Sequence, residues 1–213
     1  MRTIDRRPYR GRRAPATEAP YGVDIVLEHL FQVAPAVASL RRESSRLANW
    51  GDELARRLID GHRILAAGNG GSAAEVQHFT AELLGRYAGE RRPFSAIALH
   101  GDSSAITAIG NDYGYDNVFA RQVTGHIREG DILLLLTTSG RSPNLLEAAK
   151  AAREAGATSW ALTGAAPNPL AAVVDDVICI NAPSPNVQEA HLIALHALCE
   201  CFDAAVERLA GKP

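Results

Sequence analysis

Cysteine is scarce: 213 residues hold only Cys179, Cys199 and Cys201, with no CxxC pair. That number and spacing speak against a disulfide framework and a thiolate metal site, and they fit a reducing compartment, so a cytoplasmic location is expected. Net charge is also nearly missing. At −2 near neutral pH the chain has no bulk attraction for nucleic acid, and none is expected as a partner. No apolar run approaches the ~20 residues of a membrane span, and no hydrophobic region follows the early arginines. A membrane anchor, a signal peptide and twin-arginine export are therefore not expected. What charge there is lies unevenly. Residues 1–13 carry six arginines against Asp5, a net of about +5 that leaves about −7 for the remainder. Residues 1–20 read as a basic, disordered arm, with binding of an acidic partner as the alternative.

The remaining length suits one α/β domain, 21–213. Apolar residues first recur at helical spacing in Leu47, Trp50, Leu54 and Leu58, which predicts an N-terminal helical segment, broken near Pro35. From His62 onward, short apolar runs centred on Ile64–Ala67, Ala96–Leu99, Ile132–Leu136, Trp160–Thr163 and Val177–Ile180 alternate with stretches of helical composition such as NLLEAAKAAREAG. Five strands separated by helices predict a parallel sheet covered on both faces. A last helix is expected to carry an apolar stripe of Leu192, Leu195, Cys199, Phe202, Val206 and Leu209.

Two loops at strand ends have the composition of an anion site. Gly68-Asn69-Gly70-Gly71-Ser72 follows the first strand, where glycine lets backbone come close to a ligand. A dinucleotide fold would use such a turn, but the spacing departs from GxGxxG, and Leu99 and His100 stand where an acidic ribose ligand would be needed. Thr137-Thr138-Ser139-Gly140-Arg141-Ser142 ends the strand DILLLL ahead of Pro143. Its four hydroxyls and the positive end of a helix suit a phosphate. Plain N-capping by Ser139 or Ser142 explains one hydroxyl and not four.

His78 and Glu82 are four apart on the helix after the glycine loop, so their side chains share a face; a surface hydrogen bond is the simpler meaning. Gln188, His191 and His196 lie in the first turns of the last helix, where buried imidazoles need partners. Together these groups offer N and O donors for zinc, or an acid and a base about a sugar carbon. Gln188 and His196 are two turns apart, about 12 Å at 1.5 Å per residue, so one ion gathers both only if Gln188 leans in or another subunit contributes.

With the turn GNGGS, the run His78-Phe79-x-x-Glu82-Leu-x-Gly-Arg86, the stretch Gly110-Asn111-Asp112-Tyr113-Gly114-Tyr115-Asp116, the hydroxyl loop, and Gln188-Glu189-x-His191 with His196 in view, the chain resembles the phosphoheptose isomerases of the sugar-isomerase (SIS) domain superfamily over about residues 22–209. The resemblance implies a three-layer αβα sandwich of SIS type, with a five-stranded, flavodoxin-like parallel sheet and added N-terminal helices. It implies an aldose–ketose isomerase acting on sedoheptulose 7-phosphate, with Glu82 as base and His196 as complementary acid/base. Thr137, Thr138, Ser139 and Ser142 would hold the phosphate. Asn69, Gly70, Gly71, Ser72, Arg86, Asn111, Asp112 and Gln188 would meet the sugar. Zinc, one per subunit, would bind His78, Glu82, Gln188 and His196, and the assembly would be a homotetramer with sites at subunit interfaces. Thr137 and Arg141 depart from the residues usual in the family, as does the Pro183-Ser184-Pro185-Asn186 approach to Gln188, which bears on the choice of sugar. The alternative within the superfamily is a non-catalytic tetramer binding the replication initiator, or a phosphosugar sensor; the full set His78, Glu82, Gln188 and His196 favours the enzyme.

Overall fold

The computed structural model describes residues 20–211, so the basic arm read in the sequence lies, through residue 19, outside the described residues. The chain divides into two units, one ending at Phe31 and the other beginning at Gln32. That division falls inside the first helix. Helix α1 (Val23–Arg41) runs through Pro35 without the expected break. Proline's fixed φ is helical, and the bond it cannot donate would have gone to the carbonyl of Phe31, the last residue of the first unit. Over 18 residues α1 also reaches a mean hydropathy of 1.4, which corrects the expectation that no segment has the length and apolarity of a membrane span. It passes on length and composition alone, as core helices and leader sequences do, and Asp24 and Glu28 lie within it.

In the second unit, α2 (Ser44–Ile59) buries Leu47, Trp50, Leu54 and Leu58, the stripe its spacing predicted. All five expected strands form: β1 (Ile64–Gly68), β2 (Ala96–Ala98), β3 (Ile132–Thr137), β4 (Thr158–Thr163) and β5 (Asp176–Cys179). Every pairing is parallel, in the order β2-β1-β3-β4-β5. Side chains alternate between the two faces with period two. Ile64, Ala66, Leu134 and Leu136 join the core under α2, α3 (Gly71–Leu84) and α7 (Ser184–Ala210). Leu65, Ala67, Leu133 and Leu135 join the core under α4 (Ser103–Tyr113), α5 (Ala120–His126) and α6 (Pro143–Glu154). This is the three-layer sandwich, and burial on both faces explains why the central strands read as continuous apolar runs.

Helix α7 buries a slightly different stripe from the one expected. Leu195, Cys199 and Phe202 are fully inside with Ala194, Leu198 and Ala205, while Leu192, Val206 and Leu209 sit half-buried at the edge. The backbones of α2 and α7 come so close that a Cβ on Gly51 would stand 2.9 Å from the carbonyl carbon of Cys201. At the outer end of this face, Trp50 stacks on Trp160 with centroids 4.8 Å apart and donates from Nε1 to Asp176 at 2.8 Å.

Candidate active site

The chain leaves β1 to form its crossover on one side of the sheet and leaves β3 to form the next on the other. These neighbouring strands therefore flank the switch point of the doubly wound order, where loops diverge and leave a crevice. Gly68 pairs with Leu136, so the glycine turn and the hydroxyl loop emerge side by side. Gly70 stands at φ 56° as the N-cap of α3, a conformation that favours glycine. Across the crevice, Asn69 Nδ2 donates to Asn144 Oδ1 at 3.0 Å and Asn144 Nδ2 donates back to Asn69 Oδ1 at 2.9 Å. The hydroxyl of Tyr115, from a 3-10 turn at Tyr115–Asn117, donates to the same Asn69 oxygen at 3.2 Å.

The hydroxyl loop is shaped by its own side chains. Thr137 Oγ1 accepts from the backbone N–H groups of Ser139 and Gly140, and Ser139 Oγ accepts from that of Arg141. Thr138 Oγ1 accepts from Ser184 at 2.8 Å, which ties the loop to the start of α7. Ser142 is the N-cap of α6 by position but makes no side-chain cap bond. Capping therefore does not account for these hydroxyls, the alternative that their sequence left open.

Helices α3 and α7 run parallel along one seam. Gln188 lies so close over Gly71 that a Cβ there would strike its amide, and Tyr87, just past α3, donates to Glu200 at 3.3 Å. Between these levels His78 Nε2 is 3.0 Å from His196 Nε2 and 3.5 Å from Glu82 Oε1. Two Nε2 atoms at that distance need one hydrogen between them, so the imidazoles hold complementary states. The structure thus joins three of the four expected zinc and acid/base residues, while Gln188 stays with the glycine turn.

The model of the SIS domain matches residues 31–164. A phosphoheptose isomerase of Streptomyces coelicolor is 58% identical over 184 residues, 86% of this chain and 80% of that one. One of Bradyrhizobium is 45% identical over 189 residues, 86% of this chain and 94% of that one. Among solved structures, the phosphoheptose isomerase of Neisseria gonorrhoeae superposes with a TM-score of 0.78 at 37% identity, covering 85% of this chain and 98% of that one. The chain belongs to the phosphoheptose isomerase family of SIS-domain proteins.

On this SIS scaffold the other expected residues are spread out. Asn111 and Asp112 are exposed at the end of α4 and bonded to each other at 2.8 Å; Tyr115, three residues on, is what carries that stretch back to the crevice. Arg86 stands beyond the C-cap of α3, about 20 Å of helix from Ser72, and donates to Ala88. His191 is a core residue: Nε2 donates to the carbonyl of Thr163 at 3.2 Å, and burial pushes its pKa down to about 4, leaving it neutral. A groove of ≈ 870 Å³, lined by Tyr87, Arg91, Glu200, Asp203 and Leu209 among others, opens at the far end of the seam and not at the strand ends.

The donors at the seam suit zinc in kind, and their separations of 3.0 and 3.5 Å bracket the ~3.3 Å edge of a tetrahedron with ~2.0 Å bonds. They are strung through His78, and among the described residues no group of three or more His, Cys, Asp or Glu is gathered to hold an ion.

Three side chains escaped the sequence reading. Asn144 and Tyr115 gave no signal beyond their motif neighbours. Glu75 could have been found, because it shares the α3 stripe of Gly71, His78 and Glu82 at helical spacing. It is 8% exposed, and its Oε2 has no hydrogen-bond partner. Burial alone raises its pKa from 4.5 to about 7. The folded chain therefore binds this proton more tightly than the unfolded chain, and the stability gained at low pH is lost as pH rises from about 4.5 through 7. Glu75→Gln cannot ionise, so it is expected to exceed the parent by up to about 3 kcal/mol at pH 8 and by less than about 1 kcal/mol near pH 5. Melting temperatures at both pH values check this; a variant equally destabilised at both would show that Glu75 has a polar partner after all.

Proposed function

We propose that the chain interconverts sedoheptulose 7-phosphate and D-glycero-D-manno-heptose 7-phosphate through a cis-enediol. The observation that carries this reading is that the Glu82–His78–His196 trio lies down α3 from the glycine turn, which leaves the sheet beside the hydroxyl loop. His78 lies seven residues down α3 from Gly71, a rise of about 10 Å. An extended heptose phosphate has eight bonds from C1 to phosphorus, and at about 1.2 Å per bond it spans about 10 Å, whereas a triose phosphate would fall several ångströms short. Kinship with the phosphoheptose isomerases supports a phosphorylated heptose as the substrate.

In the ketose-to-aldose direction Glu82 takes a proton from C1 while the C2 carbonyl oxygen accepts one from His196, giving the enediol. The O1 proton then passes to His196, which restores it, and Glu82 returns its proton to C2. His78 touches both groups and fixes their relation. Thr137, Thr138, Ser139 and Ser142 bind the phosphate, helped by the positive end of α6. Zinc belongs to the same proposal: held by His78, Glu82, His196 and Gln188, it would supply a Lewis acid for the carbonyl oxygen. A cytoplasmic homotetramer completes the reading, and the exposed Ile25, Val26, Leu30 and Phe31 of the first unit are the apolar surface that such an assembly would use.

The test is incubation with sedoheptulose 7-phosphate in deuterated buffer, followed by NMR. Aldose carrying solvent deuterium at C2 is the expected result. Folded protein that gives neither exchange nor aldose would sink the reading and return attention to a binding role.

A further inference from the structure

We propose that Asn144, assisted by Tyr115, is a positioning residue that fixes the side-chain amide of Asn69 so that it offers a bound sugar phosphate one N–H donor and no acceptor. This rests on the function proposed above and names a rule of recognition for that site. A side-chain amide has two N–H donors and an oxygen with two lone pairs. Asn69 spends one donor on Asn144 Oδ1 at 3.0 Å. Its oxygen receives Asn144 Nδ2 at 2.9 Å and the Tyr115 hydroxyl at 3.2 Å, which fills both lone pairs. One N–H remains, so the group beside it must be an acceptor such as a carbonyl, hydroxyl or phosphate oxygen.

The pair resists rearrangement. Asn144 is 2% exposed and sits one residue after Pro143 on the first turn of α6, so its amide is held by the helix and by burial. If Asn69 alone rotated its amide, N would face N and O would face O across the crevice, and a polar mismatch in a buried place is costly. Tyr115 approaches from a different element, so Asn69 is held from two directions. The three residues also join the ends of β1, β3 and α4, the segments that carry the expected sugar and phosphate contacts.

The experiment is a double-mutant cycle on turnover of sedoheptulose 7-phosphate, with the Asn69 side-chain NH2 signals followed by NMR. Asn144→Ala and Asn69→Ala are each expected to raise KM about tenfold with kcat within about twofold, as for binding energy common to ground and transition states. Asn144→Ala in the Asn69→Ala background is expected to cost less than about twofold more, because its effect acts through Asn69. Tyr115→Phe, a change at an exposed ring, is expected to raise KM about threefold, which keeps the test open should the Asn144 variant fail to fold. Additive losses, or a lowered melting temperature with unchanged KM, overturn the proposal. The NMR signals separate its failure from that of the function: they must shift in Asn144→Ala whether or not the parent turns over this sugar, and unmoved signals overturn it.

Discussion

Glu82→Gln is expected to lower kcat by about 10³-fold, within the 10² to 10⁴ that a positioned acid–base group contributes. The replacement keeps size and hydrogen-bonding reach but cannot accept a proton from carbon. Binding of the sugar phosphate, assigned above chiefly to the hydroxyl loop, should change little. Solvent deuterium should disappear from C2 in step with turnover, because enediol formation is the step that is lost. Single-turnover rates together with calorimetric binding check both halves of the expectation. Near-normal turnover would remove Glu82 as base and leave His78 or His196 to be tested next.

Arg91→Ala is expected to destabilise the second unit by about 3–5 kcal/mol, the range for removing one partner of a buried ion pair. The Arg91 guanidinium is almost wholly buried and donates to Asp203 at 2.6 Å, to the carbonyl of Glu82 at 2.7 Å and to that of Leu83 at 3.1 Å. It also lies 5.2 Å from the ring centre of Phe202 and 5.5 Å from that of Phe94. Three losses would coincide: the unsatisfied last carbonyls of α3, an unpaired Asp203 whose Oδ2 already lacks a partner, and a Phe202 ring without its cation, Phe94 keeping Arg92 at 4.7 Å. At about 2–4 °C per kcal/mol for a domain of this size, the melting temperature should fall by roughly 10 °C. A fall of under about 2 °C would show that water or a rearranged side chain replaces the guanidinium. Since Arg91 holds the carbonyl of Glu82, some loss of kcat is expected in the folded fraction as well.

The central strands were legible because they are buried on both faces and therefore read as unbroken apolar runs; DILLLL is the clearest case. The hydroxyl loop was legible because four hydroxyls in six residues exceed what a helix cap requires. Pro35 misled because a proline signals a break by its missing N–H, yet one lost bond is affordable in a helix of 19 residues. Helices α4 and α5 left little trace, since α4 buries no residue completely and α5 is only seven residues long. The Asn69–Asn144 bond could not be read at all. It spans 75 positions and depends on β1 lying next to β3, an order that hydrophobic spacing does not encode. The meeting of His78 and His196 was foreshadowed by residue type, as donors for one ion or groups about one sugar carbon, while their approach is set by the parallel run of α3 and α7.

That parallel run also limits how such a protein can change over generations. One unbroken helix, α7, touches the hydroxyl loop through Ser184, the glycine turn through Gln188 and the histidine pair through His196. Deleting a single residue between Gln188 and His196 would turn one contact about 100° relative to the other and shift it by about 1.5 Å. Insertions and deletions inside α7 are thus closed as a route to sugars of other lengths. Descendants with new preferences are expected to differ by substitutions in the crevice loops, with the number of residues in this helix inherited unchanged.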